Sequence, residues 1–421
     1  LNGYAGTGKT SLVGALVAAL AALNQKSVLL APTGRAAKVF ADYSSHSAFT
    51  VHRKIYRQKK YSPDDGGAGF TLAPNKHTNT IFFVDEASML PNTSSEGAIF
   101  GSGRLLDDLV EYVYSSPGCK LILIGDDAQL PPVGLDRSPA LDLAFLRSMG
   151  LDTVPFSLTK TSRQAADSGI LYNATALRTT MQQSVLPPAS LTIDKFDDFR
   201  SLTGDYLIET LSDLYDRQGV ENSIIVTRSN KRAVMFNTGI RSRILYREDE
   251  LVAGDRILIA KNNYLWSGSN DKLDFIANGD IATVERVYST ESCFGFRFAR
   301  TELSFPERDL TIEAIINLDT LMSESPTLTR QQQQTLFTNV MATLSGSQRT
   351  RYELLKQHPY FNALQVKYAY ALTCHKAQGG QWANVLVDMG YIPEEAYTSR
   401  DLYRWLYTAV TRARKQIYIL R

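Results

Sequence analysis

The chain has 421 residues, which at roughly 150 residues per domain suggests two or three domains. Its 44% hydrophobic and 21% charged residues are ordinary for a globular protein and argue against disorder. No apolar run reaches the ~18 residues of a spanning helix, and the Ala-rich stretch from Leu12 to Leu23 is too short, so no membrane association is expected. The net charge, 45 − 43 = +2, does not advertise a polyanionic partner. Local charge says more: seven basic residues face one acid between Arg35 and Lys60, and eleven face five between Arg349 and Arg421. Such patches can track phosphates, although each also suits a solvated face. The three cysteines, Cys119, Cys293 and Cys374, are far apart and odd in number. They show neither a disulfide framework nor a metal cluster, which fits a reducing, cytoplasmic location.

The chain opens at Leu1 with no initiator Met and no signal-peptide pattern, immediately before a phosphate-binding motif, so missing N-terminal sequence is expected. Gly3-Tyr4-Ala5-Gly6-Thr7-Gly8-Lys9-Thr10 matches G-x-x-x-x-G-K-[ST], and the run from Ser11 to Leu23 supplies the helix that this motif requires. Its glycines let backbone N–H groups close around phosphate oxygens. Lys9 supplies a point charge for the β and γ phosphates of ATP, and the Thr10 hydroxyl can ligate Mg²⁺.

Next in the chain, Val28 to Ala31 reads as a buried strand. The polar, Gly-rich segment Gln58 to Asn79 breaks the α/β rhythm. Ile81-Phe82-Phe83-Val84 has the continuous apolar character of a strand covered on both faces, and Asp85-Glu86 follow it. After a P-loop, such a pair points to Asp85 holding Mg²⁺ through water and Glu86 polarising the attacking water. A third strand, Lys120 to Ile124, runs into Gly125-Asp126-Asp127-Ala128-Gln129-Leu130-Pro131. There Gln129 could bond a γ-phosphate or its water, or simply belong to a polar turn. Strands alternating with helices imply a parallel sheet with its site at the carboxyl ends.

Further on, Ser223 to Val226 is a strand, followed by a loop, Thr227 to Asn230, that also suits a helix N-cap. From Gly254 to Leu318 the pattern becomes short strands with turns: Arg256–Ile259, Ile281–Val284, Phe294–Phe298 and Ile312–Leu318. Asn278-Gly279 is a hairpin signal. This reads as a small β-barrel. Thr327 to His358 is polar and helical, with Gln331 to Gln334 on a solvated face, and Val366 to Leu372 is again a strand.

The order of these elements resembles superfamily 1 helicases, in detail the RecD and Dda branch called superfamily 1B, which includes exodeoxyribonuclease V alpha-subunit-like ATPases. Ala31-Pro32-Thr33-Gly34-Arg35-Ala36-Ala37 resembles motif Ia, and Phe49-Thr50-Val51-His52-Arg53 the T-x-H-R segment after it. Leu158-Thr159 with Ser162-Arg163-Gln164 resembles motif IV. Thr373-Cys374-His375-Lys376-Ala377-Gln378-Gly379 resembles motif V, and Tyr407-Thr408-Ala409-Val410-Thr411-Arg412-Ala413-Arg414 motif VI. The matches run from Gly3 to Arg414 in the family's order.

The resemblance implies an α/β protein of two RecA-like P-loop lobes with ATP in the cleft, a pin insertion in lobe 1 and an SH3-like β-barrel insertion in lobe 2. Residues 1–166 would form lobe 1A, with 56–79 a small 1B pin. Lobe 2A would comprise 167–254 and 362–421, and 255–361 the inserted 2B domain. Arg163 and Arg412 become arginine-finger candidates, and Ser11 and Gly379 join the nucleotide-contacting set. The adenine-contacting glutamine of relatives would lie upstream of Leu1.

Single-stranded DNA would be gripped by Pro32, Thr33, Arg35, Thr50 and His52 in the first lobe, and by Thr227, Asn230, Thr373, His375 and Lys376 in the second. His52 equally suits a packing role. The chain has 18 Phe and 21 Tyr, any of which could stack on bases, and Phe70 is the expected pin tip. The implied activity is ATP-driven 5′→3′ translocation on single-stranded DNA with unwinding of tailed duplexes, by a chain active as a monomer. Two alternatives stay open: a RecD-type motor subunit that needs a nuclease or repair-complex partner, and a nucleic-acid-dependent ATPase switch that does not travel.

Overall fold

The computed structural model describes residues 1–58, 70–93, 100–159, 168–263, 265–266, 276–306 and 310–421. In chain order, β1 (Asn2–Gly3) leads through the P-loop to α1 (Lys9–Ala22), then β2 (Lys26–Ala31), α2 (Gly34–Ser44), β3 (Ala48–Thr50), α3 (Val51–Ile55), β4 (Tyr56–Gln58), β5 (Phe70–Leu72) and β6 (Thr80–Val84). Next come α4 (Leu105–Tyr114), β7 (Lys120–Leu123), α5 (Leu143–Ser148), β8 (Ser157–Leu158), α6 (Gly169–Met181) and β9 (Phe199–Leu202). They are followed by α7 (Leu207–Gln218), β10 (Ser223–Thr227), α8 (Asn230–Arg243), β11 (Arg256–Ile259), β12 (Ile281–Cys293), β13 (Phe296–Phe305) and β14 (Leu310–Asn317). The last elements are α9 (Arg330–Thr343), α10 (Gln348–Lys356), β15 (Leu364–Tyr368), β16 (Ala371–Thr373), α11 (Cys374–Ala377), β17 (Trp382–Asp388), α12 (Arg400–Val410) and β18 (Ala413–Leu420). Among the described residues no helix is long and apolar enough to cross a membrane.

Contacts divide the chain into two units. One holds the described residues of 1–204 and 377–421, and the other those of 205–376. In the first, β2 lies between β3 and β6, and β6 pairs on its far side with β7, all parallel. The apolar runs of β2 and β6 follow from this, because successive side chains point to opposite faces and both faces are covered. Leu29 and Phe83 pack with Val13 and Val17 of α1 and Phe40 of α2. Leu30, Phe82 and Val84 pack on the other side with Val51 and Ile55 of α3 and Leu106, Leu109 and Val113 of α4. The same unit contains a second parallel sheet in which β18 pairs with both β17 and β9, with α6 and α12 packed together.

In the second unit, β11–β12–β13–β14–β15 close into a barrel. The β12–β13 hairpin turns at Phe294 and Gly295, both with positive φ (54° and 84°), the backbone that a two-residue type I′ turn requires. The sequence reading took Phe294 as strand. Asn278-Gly279 does form a turn, with Gly279 at φ 93°, but it precedes β12, and Ile276 bridges to Asn263 outside the main ladders. The expected strand from Val366 to Leu372 divides: β15 closes the barrel, and β16 pairs in parallel with β10. Thr329 and Gln332 form a reciprocal cap at the start of α9.

Asp255, at the entrance to β11, is fully buried and joins the barrel to α8. Its carboxylate accepts from Arg241 Nε and Nη2 at 2.9 Å each, from Arg247 Nη1 at 2.7 Å and from Tyr370 Oη at 2.9 Å. Removing one member of a buried, hydrogen-bonded charge network leaves the others uncompensated, at about 3–5 kcal/mol. Asp255→Ala should lower unfolding free energy by about that amount in urea titrations; a loss below about 1 kcal/mol would mean that water already serves these arginines.

Candidate nucleotide site

The P-loop is built as the sequence reading anticipates. Gly6 and Gly8 adopt φ of 77° and 80°, left-handed values that side chains with a Cβ resist, and Gly8 caps α1. The turn is braced by Thr7, whose Oγ1 donates to the Tyr4 carbonyl at 2.7 Å. Lys9 Nζ donates to the carbonyls of Gly3 and Tyr4, inside the concave loop.

A cavity of about 390 Å³ opens on this loop. Ala5, Gly6, Gly8, Lys9, Thr10 and Ser11 line it from the P-loop and α1. Asp85 and Glu86 enter from the end of β6, Gln129 from the turn after β7, and Gly379 and Arg412 from the C-terminal segment. Gly3 and Thr7 do not line it, and Arg163 lies outside the described residues. The sequence reading missed Tyr43 of α2, Gln381, Arg414, and the apolar wall of Ile170, Leu171 and Ala174 from α6. That wall comes from the helix's spacing and from its packing on α12, neither of which leaves a motif.

Burial and then the charge of Glu86 push the Asp85 carboxyl up to about 7, and Glu86 itself sits at φ 51°. Two adjacent, half-buried carboxyl groups that line a cavity with Thr10 are a donor set suited to a divalent cation, whose charge would offset their repulsion. Gln129 lines the cavity and is only 6% exposed, and its buried Oε1 has no hydrogen-bond partner among the described residues. Arg412, 3% exposed, is oriented by the Thr408 carbonyl at 3.0 Å, the Gly380 carbonyl at 3.3 Å and Thr411 Oγ1 at 3.1 Å.

The residues expected to grip a strand fall into several groups. In the first unit, Thr33 and Thr50 accept from Ala36 N and Arg53 N as helix caps, with Pro32 beside the first of these. Arg35 lies over the Trp382 ring at 4.1 Å and donates to the Gln381 carbonyl at 3.3 Å. His52 packs on Phe100 at 5.1 Å and on Tyr56 at 5.8 Å, and burial pulls its imidazole down to about 4, so it is neutral at physiological pH. Phe70 sits in β5 and stacks on Phe100 at 4.8 Å, within a ladder to β4. Phe70 is therefore a strand residue packed on Phe100 rather than an exposed tip, and residues 59–69 of the expected pin lie outside the described residues.

In the second unit, Thr227 is buried and donates to the carbonyls of Ser229 and Leu372 at 3.0 and 3.4 Å. Ser229 caps α8, and Asn230 is its first residue. Asn230, Thr373 and Lys376 meet in one small cleft with Lys367, while His375 stays exposed. Lys376 Nζ donates to Asn278 Oδ1 at 3.0 Å. Burial pulls Lys376 down to about 8, and burial together with the Lys376 charge does the same to Lys367.

A phosphate-binding loop, an acidic pair at the end of β6, a polar turn after β7, and an arginine from the C-terminal segment define a P-loop nucleoside-triphosphatase site. Comparison with known proteins places it further. Residues 1–186 match the AAA domain family, and residues 368–420 match the UvrD-like helicase C-terminal domain. The chain is 25% identical over 430 residues to the ATP-dependent RecD2 DNA helicase of Deinococcus radiodurans, covering 99% of this chain and 46% of that protein. It is 22% identical over 444 residues to the ATP-dependent DNA helicase dda of phage T4, covering 99% of this chain and 93% of that one. The solved Pif1 helicase from Candida albicans is 15% identical, with 100% of this chain and 89% of that chain covered and a TM-score of 0.46. The chain thus spans just under half of RecD2 and nearly all of Dda. These matches support the resemblance of this chain to RecD- and Dda-like helicases of superfamily 1B.

The contacts of Arg35 have a direct readout. Trp382 is 2% exposed, with Arg35 over its ring. Arg35→Ala should raise acrylamide quenching of tryptophan fluorescence and cost about 1 kcal/mol. Unchanged quenching would show that Arg35 does not shield the ring.

Proposed function

We propose that the chain is an ATP-driven motor that moves 5′→3′ along single-stranded DNA and separates tailed duplexes. What carries this reading is the one cavity shared by Lys9, Thr10, Asp85, Glu86, Gln129 and Arg412, in a chain 99% of which aligns with proteins named ATP-dependent DNA helicases. In it the P-loop amides and Lys9 hold the β and γ phosphates. Glu86 orients and deprotonates the attacking water, and Gln129 bonds the γ-phosphate or that water. Arg412, with Arg163 as the second candidate, neutralises charge on the γ-phosphoryl oxygens as the bond to the leaving ADP breaks. An arginine in that role is worth about 10³–10⁵ in rate. Thr10 and Asp85 are the residues that would hold Mg²⁺, which supplies further charge neutralisation at the phosphates. The wall of Ile170, Leu171 and Ala174 offers an apolar face for the base.

Movement needs two grips whose separation changes with ATP state. One is proposed around Pro32, Thr33, Thr50 and His52. Its threonines also cap helices, so backbone amides at the starts of α2 and α3 would be the DNA-facing donors, and a neutral His52 would stack or bond rather than pair with phosphate. The other grip is the cleft of Asn230, Thr373, Lys367 and Lys376, with His375 at its rim. In this reading 1–166 and 167–254 with 362–421 act as RecA-like lobes, the barrel is the SH3-like insert, and residues 56–79 are the pin. The chain works as a monomer.

Strand separation on duplexes with a 5′ or a 3′ tail, using Lys9→Ala as the blank, tests the proposal. Unwinding from the 5′ tail alone is expected, with Lys9→Ala inactive but still binding strand. A 3′ preference would overturn the direction, and no ATP hydrolysis on single strands would overturn the motor.

The lysine cleft adds a dependence on pH. An ammonium near 8 in the free protein is raised by a bound phosphate, so its contribution is complete below pH 8 and fades as pH rises above it. Strand binding should therefore lose salt dependence between pH 7 and pH 10. Lys376→Ala should lower the salt slope at pH 7 by about 0.7; an unchanged slope would remove Lys376 from the track.

A further inference from the structure

We infer that Tyr407 is a positioning residue for ATP hydrolysis: its hydroxyl ties the P-loop to the turn that carries Gln129, and so sets both against the arginine at the end of its own helix. This inference rests on the ATPase reading above.

One oxygen makes both bonds. The backbone N–H of Ala5 donates to Tyr407 Oη at 2.9 Å, and Tyr407 Oη donates to Asp126 Oδ2 at 2.7 Å. The directions are unambiguous, because an amide can only donate and the hydroxyl proton is then left for the carboxylate. Asp126 is 0% exposed and Tyr407 1%. Asp126 Oδ1 accepts from Ala128 N at 3.1 Å, and the Asp126 carbonyl accepts from Gln129 N at 3.2 Å. The carboxylate held by Tyr407 therefore shapes the turn that presents Gln129 to the cavity.

The next residue grips the far end of that turn, since Leu130 N donates to Thr408 Oγ1 at 2.9 Å. The Leu130 carbonyl in turn accepts from Gln378 Nε2 at 2.7 Å. One turn further along, the Thr408 carbonyl orients Arg412. Consecutive residues of α12 thus position the P-loop, Gln129 and Arg412 together. A shift of this helix cannot move the arginine without also pulling on the other two. These bonds orient groups for reaction rather than recruit nucleotide, so their loss should fall on turnover.

Tyr403 supplies the control. It lies on the same helix, is 3% exposed, and its hydroxyl donates to the Pro187 carbonyl at 2.9 Å, with no bond to the P-loop or the Gln129 turn. We would measure phosphate release with saturating oligothymidylate for the wild type, Tyr407→Phe, Tyr403→Phe and Thr408→Val, with Tm for each. Tyr407→Phe should lower kcat about 10- to 100-fold, the effect of one hydrogen bond to a charged group. Its KM for ATP should stay within about threefold. Tyr403→Phe should lose a similar Tm and keep kcat.

Equal kcat losses in the two Phe variants, an unchanged kcat in Tyr407→Phe, or a loss confined to KM would overturn the inference. Should Tyr407→Phe not fold, Thr408→Val carries the same test, with a kcat loss at constant KM expected and its absence overturning the proposal. A wild type that hydrolyses no ATP would instead defeat the ATPase reading itself, and this inference with it.

Discussion

A buried carboxylate and a buried backbone amide must both find partners, because an unpaired polar group in a dry interior costs more than most single contacts return. In this protein one tyrosine hydroxyl meets both needs. Ala5 and Tyr407 are 402 residues apart, and the bond between them, with the one to Asp126, holds the C-terminal helix α12 against the phosphate-binding loop. The nucleotide cavity takes its shape from that constraint. The P-loop and β6 supply its floor, the turn after β7 its acceptor, and the end of α12 its arginine.

The second unit answers a different problem. A closed barrel removes exposed sheet edges, and its attachment to α8 runs through Asp255, which gathers two arginines and a tyrosine hydroxyl into one buried cluster. The strand that closes the barrel, β15, continues into β16 and then into α11. A shift in the barrel therefore bears directly on Thr373 and Lys376. In that cleft burial lowers the proton affinity of both lysines, and the charge of Lys376 lowers that of Lys367 further, a condition that a bound phosphate would relieve.

Much of this was legible in the sequence. The glycines, Lys9 and Thr10 stand at fixed spacing because the chemistry of phosphate binding demands it, and the strand before Asp85-Glu86 is apolar from Ile81 to Val84 because both of its faces are covered. Barrel strands were legible as short β-rich runs, though their limits were not. Phe294 suits a strand by its side chain but takes a left-handed turn conformation, which only its pairing with Gly295 enforces. The proposed strand contacts were least legible. Thr33 and Thr50 carry the residue types of a phosphate contact and also those of a helix cap, and the structure shows the capping bond in each. Arg35 carries a charge suited to DNA and is stacked on Trp382.

The sequence by itself determined the local chemistry: which residues can surround a phosphate, where strands and helices alternate, and that a small barrel interrupts them. These follow from spacing along the chain, and spacing is what a sequence records. Only the tertiary structure decided which distant groups meet. That Tyr407 would bond Ala5 and Asp126, that Gln378 would bond the carbonyl after Gln129, and that α6 would wall the cavity depend on how sheets and helices pack. Packing energy comes from area and shape summed over many residues, so it leaves no motif at the residues it brings together.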